Sequence, residues 1–193
     1  MKNRKLLLCG LLSFSSLAVT AQVEELTPQE KRYRDSITAL NLENAAIANS
    51  QTAYNEGIQS FSEGNYAKAL ESFKKSVGFD PNFTAAYYNQ GIAENELGKF
   101  SDAVTTLNKL IEKNPAYSKA YFQRGKAYQG QNEYLKAEQD YDKSISLDPA
   151  NPKAYYNYGT LRFLQQDYKG ALTYFSKAIE LDKNFAYAYN DRG

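Results

Sequence analysis

Apolar residues recur at helical spacing along the chain, and the clearest stripe, Tyr66, Leu70, Phe73 and Val77, shares one side of a helix. The positions of that stripe return with a fixed period. Five of the eleven glycines, Gly57, Gly91, Gly125, Gly159 and Gly193, lie 34 residues apart. The same ruler collects Ala69, Ala103, Ala137 and Ala171; the aromatic residues Tyr66, Phe100, Tyr134 and Tyr168; the large apolar Phe73, Leu107, Tyr141 and Phe175; and Pro81, Pro115 and Pro149. A period of this length predicts a solenoid of stacked helix pairs.

Each row has a mechanical meaning. Between glycine and alanine of one repeat stands a turn signal (Glu63-Gly64-Asn65, Leu97-Gly98-Lys99, Gln131-Asn132-Glu133, Gln165-Gln166-Asp167) that separates two helical patterns. Gly57 is then expected to face Ala69 across an antiparallel pair, at a contact that admits only small side chains. The prolines end each repeat because proline cannot continue a helix. Lys183 stands at that place in the fourth repeat, whose ending is less firmly specified. Upstream, Thr27-Pro28-Gln29-Glu30 reads as a capping box with proline at the first helical position, and Tyr33, Ile37 and Leu40 follow at helical spacing. The segment 22–49 is therefore expected to hold a lead-in helix, from about residue 28 to the high forties, covering the open apolar face of the first repeat. An oligomerisation helix is the other reading. Residues 186–193 (AYAYNDRG) reproduce the opening of a repeat and stop on its glycine, which is the expectation for a fifth, incomplete repeat of a longer protein.

These rows resemble the tetratricopeptide repeat family over residues 50–185, as four repeats at 50–83, 84–117, 118–151 and 152–185. The resemblance implies an all-α, right-handed superhelical solenoid of antiparallel helix pairs, working as a non-catalytic protein–protein interaction scaffold. Two rows depart from the family. Ala53, Tyr87, Tyr121, Tyr155 and Tyr189 stand where the family favours tryptophan, and Glu56, Gln90, Arg124, Tyr158 and Arg192 stand before the glycines, where leucine is common.

The first 21 residues form an address. Lys2, Arg4 and Lys5 precede an apolar stretch from Leu6 to Val19 and small residues before Gln22, the order of a secretory signal peptide cleaved between Ala21 and Gln22. The stretch is shorter than the roughly 20 apolar residues a membrane span needs, and Ser13, Ser15 and Ser16 interrupt it. Cys9 does not fit a lipoprotein signal, since bulky Leu8 precedes it. An exported chain is expected, periplasmic or extracellular, with no integral span after cleavage. Cleavage lowers Lys+Arg from 23 to 20 against 22 Asp+Glu, turning a charge of +1 into −2, and removes the single cysteine. The remaining chain must hold together by packing without disulfides. So small a net charge offers no broad attraction to nucleic acid or anionic membranes.

Composition also limits chemistry. With no histidine and one cysteine, imidazole-based catalysis, zinc fingers and iron–sulfur centres are excluded. The carboxylate pairs Glu94/Glu96, Glu138/Asp140 and Asp140/Asp142 are two residues apart, so on a helix they diverge and cannot converge on one substrate atom. No phosphate-binding glycine loop or nucleophile elbow occurs. No catalytic residue, metal or cofactor is expected.

What the sequence offers instead is a lined groove. The first helices of stacked pairs line the concave side, the usual binding surface of a solenoid. One column there is aromatic, Tyr54, Tyr88, Phe122 and Tyr156; the next residue of each repeat gives an amide column, Asn55, Asn89, Gln123 and Asn157, with Asp191 following. A carboxamide donates and accepts at once, so such a row can pair with the backbone of an extended peptide. In the family, several superhelices hold peptide backbones with asparagines at the matching place. Packing between repeats is the competing role for the rings, and local backbone bonding for the amides. Lys119, Lys126 and Lys153 add positive charge beside the columns. The carboxylate clamp by which some members hold acidic chaperone tails is not reproduced: only Asn89 and Lys119 match, while Tyr54, Ile58 and Gln123 depart. A protein or extended-peptide partner is the first expectation. A docking arm of a larger enzyme or envelope protein and a cell-wall glycan binder are the others.

Overall fold

The computed structural model describes residues 26–193 and divides into two units, one ending at Ala39 and one spanning Leu40–Gly193. The expected signal segment 1–21, with Cys9 and the cleavage point at Ala21 and Gln22, lies outside the described residues. Among the described residues all regular structure is helical: α1 (Pro28–Ser62), α2 (Tyr66–Phe79), α3 (Thr84–Glu96), α4 (Phe100–Lys113), α5 (Ser118–Gly130), α6 (Tyr134–Leu147), α7 (Pro152–Leu164), α8 (Tyr168–Leu181) and α9 (Ala186–Arg192). No helix there is long and apolar enough to cross a membrane.

The first unit is opened by its capping box. Glu30 Oε2 accepts from the Thr27 backbone N–H at 2.9 Å, and Thr27 Oγ1 accepts from the Glu30 N–H at 3.3 Å. The bond from the Thr27 N–H holds the Glu30 carboxyl below its ordinary range. Tyr33 and Ile37 in this unit are exposed.

In the second unit Leu40, Leu42 and Ile47 are also exposed, and full burial begins at Ser50, whose hydroxyl donates to the Ser76 carbonyl on α2 (2.9 Å). The separate lead-in helix expected from the sequence is instead the front of α1. No glycine or proline stands between Pro28 and Gly57, so nothing interrupts the helix before the first repeat.

From there the array repeats. Tyr66, Phe100, Tyr134 and Tyr168 start α2, α4, α6 and α8, and Thr84, Ser118 and Pro152 start α3, α5 and α7. The turn inside each pair needs one left-handed residue: Gly64 (φ 75°), Gly98 (φ 69°), Asn132 (φ 60°) and Gln166 (φ 63°). Glycine and asparagine accept this conformation readily, whereas glutamine is held there against its preference. Between pairs, Asp80, Asn114, Asp148 and Asp182 each accept, through the side chain, the backbone N–H two residues on, at 2.8, 3.2, 3.3 and 2.9 Å. Because Asp182 keeps this turn, α8 stops at Leu181 although Lys183 replaces proline.

The glycine row sets how closely the helices of a pair approach. A Cβ built on Gly57 would stand 2.5 Å from the Phe73 ring, on Gly91 2.8 Å from Leu107, on Gly125 2.7 Å from the Tyr141 ring and on Gly159 2.6 Å from the Phe175 ring. The expected opposite number, the alanine row, comes second: the Ala137 and Ala171 carbonyls would lie 3.3 Å from such atoms at Gly125 and Gly159. Ala69, Ala103, Ala137 and Ala171 are buried beside Phe73, Leu107, Tyr141 and Phe175, so each pair adds one layer to a continuous core.

Two substitutions test this framework in opposite directions. Gly125→Ala drives a methyl into the Tyr141 ring and is expected to cost about 1–3 kcal/mol by urea denaturation. Gln166→Gly relieves the left-handed turn and is expected to gain up to about 1 kcal/mol in the same assay.

Candidate functional site

The odd-numbered helices stack side by side, α3 touching α5 and α5 touching α7, and their shared face carries the two columns. The aromatic column is structural first. Tyr54 packs on Phe73 and Phe83 (ring centroids 5.8 and 4.9 Å), Tyr88 on Tyr117 (5.5 Å), Phe122 on Tyr141 (6.2 Å), and Tyr156 on Phe175 and Phe185 (5.6 and 5.1 Å). Tyr54, Tyr88 and Tyr156 stay half-buried, but Phe122 is buried. The sequence expectation that Phe122 lines an open groove is therefore corrected: its ring fills the layer above Tyr141.

The two columns are also bonded to each other, one repeat apart. The Tyr54 hydroxyl accepts from Asn89 Nδ2 at 2.9 Å, and the Tyr156 hydroxyl donates to Asp191 Oδ2 at 2.7 Å. Between them Gln123 is the polar neighbour of the Tyr88 hydroxyl. Burial and then the Asp191 bond push the Tyr156 hydroxyl up to about 12, so it remains a neutral donor. Spacings of 35 residues, one more than the period, are the signal in the sequence that could have found these tethers.

The tethers decide which amides are free. Asn89 spends its donors on Tyr54 and on the Ala85 carbonyl (3.1 Å). Gln123 is buried, accepting from Asn95 Nδ2 on its backbone carbonyl (2.9 Å) and at longer range on Oε1 (3.4 Å). It is packed between α3 and α5, contrary to the expectation of a groove contact. Asn157 follows Phe122, which has no hydroxyl to offer, and makes only a local bond from Nδ2 to the Lys153 carbonyl (2.9 Å). One N–H and the Oδ1 of Asn157 remain unused. Asn55 is exposed and accepts from Gln51 Nε2 (3.0 Å), leaving its own N–H groups unused. Among the lysines, Lys126 lies 3.6 Å from Glu96, while Lys119 and Lys153 are exposed and make no ion pair among the described residues.

A further polar layer, missed from the sequence, runs along the residues that precede the glycines. Three of them, Gln90, Arg124 and Tyr158, pair with the even-numbered helix of their own repeat, sixteen residues on. Gln90 Nε2 donates to Thr106 Oγ1 (3.1 Å); Arg124 grips Asp140 with two bonds of 2.7 Å; and Tyr158 stacks on Tyr174 at 4.1 Å. Two of these also reach back to the preceding repeat: Arg124 donates to Asn108 (2.6 Å), and the Tyr158 hydroxyl lies 3.1 Å from Glu138 and 3.3 Å from Asp142. Arg162 closes on Glu138 beside it. Tyr141, fully buried, finds its acceptor in Gln129 (2.7 Å), and burial pushes its hydroxyl far up.

Of the carboxylates set aside as catalytic pairs, all but Glu94 are individually engaged: Asp140 with Arg124, Glu138 with Arg162, Glu96 with Lys126, and Asp142 with Tyr158. No group of three or more metal-ligating side chains converges among the described residues. The arrangement can hold and orient a segment laid along it.

Three family models match the chain: tetratricopeptide repeat over residues 122–186, TPR repeat over 91–132, and tetratricopeptide repeat over 52–83. No curated protein matches it. Among solved structures it is similar to MamA, at 27% identity over 84% of this chain and 98% of that one, with a TM-score of 0.63. A MamA structure from Desulfovibrio magneticus RS-1 is 27% identical over 70% and 77%, TM-score 0.64. The first TPR of Spaghetti (RPAP3), bound to the HSP90 peptide SRMEEVD, is 27% identical over 63% and 94%, TM-score 0.58.

Asp140→Ala would leave the Arg124 guanidinium in a largely buried site without its counter-ion. It is expected to cost about 3 kcal/mol in chemical denaturation, whereas Arg124→Met with Asp140→Leu should recover most of that loss.

Proposed function

This chain belongs to the tetratricopeptide repeat family, and we propose that it is a non-catalytic scaffold holding an extended segment of a partner protein along the face of its odd-numbered helices. The observation that carries the reading is the uneven use of the amide column. Where tethers and burial consume Asn89 and Gln123, Asn157 keeps a donor and an acceptor, the pair that a peptide unit requires. Asn55, exposed at the other end, keeps its N–H donors while its Oδ1 accepts from Gln51. Lys119 and Lys153 are exposed and make no ion pair among the described residues, and they favour acidic side chains on the bound segment. The peptide held by the first TPR of RPAP3 supports a ligand of this class. The grip would differ from a carboxylate clamp, since Tyr54, Ile58 and Gln123 stand at clamp positions. The signal-like segment 1–21 supports action outside the cytoplasm, in the periplasm or beyond the cell.

The test begins with extended peptides selected against the wild-type chain from a random library. Asn157→Ala should weaken the selected peptides about tenfold, the loss of one or two hydrogen bonds to a held backbone. Phe122→Tyr adds a hydroxyl one residue and one repeat before Asn157, as Tyr54 stands to Asn89. It should capture the carboxamide and weaken binding without loss of thermal stability. Undiminished binding by both variants would sink the reading.

A further inference from the structure

Glu94, on α3, is a buried acid with no cation. Only 1% of it is exposed. Its Oε1 accepts from Gln90 Nε2 at 2.9 Å, and its Oε2 has no hydrogen-bond partner. Gln90 Nε2 spends its other N–H on Thr106 on α4, whose hydroxyl also stands beside the carboxyl, so only neutral donors serve the carboxyl. In the other repeats this position holds Ser60, Tyr128 and Arg162, none of them an acid. The charged groups that face Glu94 are Lys74 from α2 and Asp102 from α4. They are opposite in sign, both exposed, and neither forms an ion pair with it. A carboxylate in this place forfeits hydration without gaining a counter-charge, whereas the neutral acid forfeits much less. The adjacent Asn95 is buried too, and its Nδ2 holds the Gln123 carbonyl across to α5.

We propose that Glu94 is a proton-operated latch of the second repeat: it seats as the neutral acid, and loss of its proton loosens α3 from α2 and α4 and slackens the Asn95 bond to α5. Burial, the largest influence on it, raises its proton affinity in the folded chain. The folded state therefore binds the proton more tightly than the unfolded state does. The stabilisation it gives is complete below the ordinary glutamate range and is lost as pH climbs through the raised value. At this position the second repeat is tighter below the raised value and looser above it, the reverse of a site held by an ion pair.

The latch is tested on the full chain with Glu94→Gln, which keeps the shape and cannot ionise. Between pH 5 and pH 8 the melting temperature of the wild type should fall by about 3 °C or more relative to the variant. Hydrogen exchange of α3 amides, corrected for intrinsic rates, should accelerate about tenfold in the wild type and stay level in the variant. Parallel pH profiles for the two proteins would overturn the proposal. If the variant does not fold, a carbon-detected NMR titration of the wild-type Glu94 carboxyl decides: a midpoint above the ordinary glutamate value supports the latch, and an ordinary midpoint overturns it.

Discussion

In each helix pair a glycine on one helix receives the large side chain of its partner. Phe73, Leu107, Tyr141 and Phe175 occupy the space a β-carbon would need at Gly57, Gly91, Gly125 and Gly159. Everything else is placed by that contact. It fixes the separation of the two helices, brings the alanine row into the core, and makes each pair thin enough for the next to lie on it. A solenoid adds stability layer by layer, so an error in one layer is passed to its neighbours.

Polar pairs then distinguish one layer from another. In the apolar rows the repeats are nearly interchangeable, but at the position before the glycine each repeat has its own chemistry. Gln90 with Thr106, Arg124 with Asp140, and Tyr158 with Tyr174 are three solutions to one geometric problem. A bidentate ion pair in a largely buried place contributes little net stability against an apolar pair, because desolvation offsets attraction. What it supplies is discrimination. The tyrosine tethers, to the Asn89 amide and the Asp191 carboxylate, act likewise on the other flank, and their interruption at Phe122 is what leaves Asn157 available.

The fold was legible because its determinants are periodic. Glycine, alanine, aromatic and proline rows report the helix pairs, and a 34-residue ruler needs no tertiary knowledge. The groove was legible only as two columns. Whether a ring or an amide faces solvent depends on its neighbour one repeat away. Phe122 and Gln123 follow the same ruler as Tyr54 and Asn55 yet are buried, since contacts to Tyr141 and Asn95 draw them inward. At the front of α1 the stripe of Tyr33, Ile37 and Leu40 reads as a buried face from its helical spacing alone, and these residues are exposed. Glu94 is invisible to pattern reading, because an acid two residues from Glu96 on a helix looks solvated until burial is known.

The reach of Arg124 in two directions also constrains how such a chain can change its length. Its guanidinium bonds Asp140 ahead and Asn108 behind, and the residue equivalent to Asn108 one repeat earlier is Lys74. Unequal recombination that excised the second repeat would keep the ruler, the glycine contacts and the turns, yet set two cations face to face between the joined layers. Tandem arrays ordinarily grow and shrink by whole units. Here the units carry a serial order, so gain or loss of a middle one requires compensating change at both of its borders.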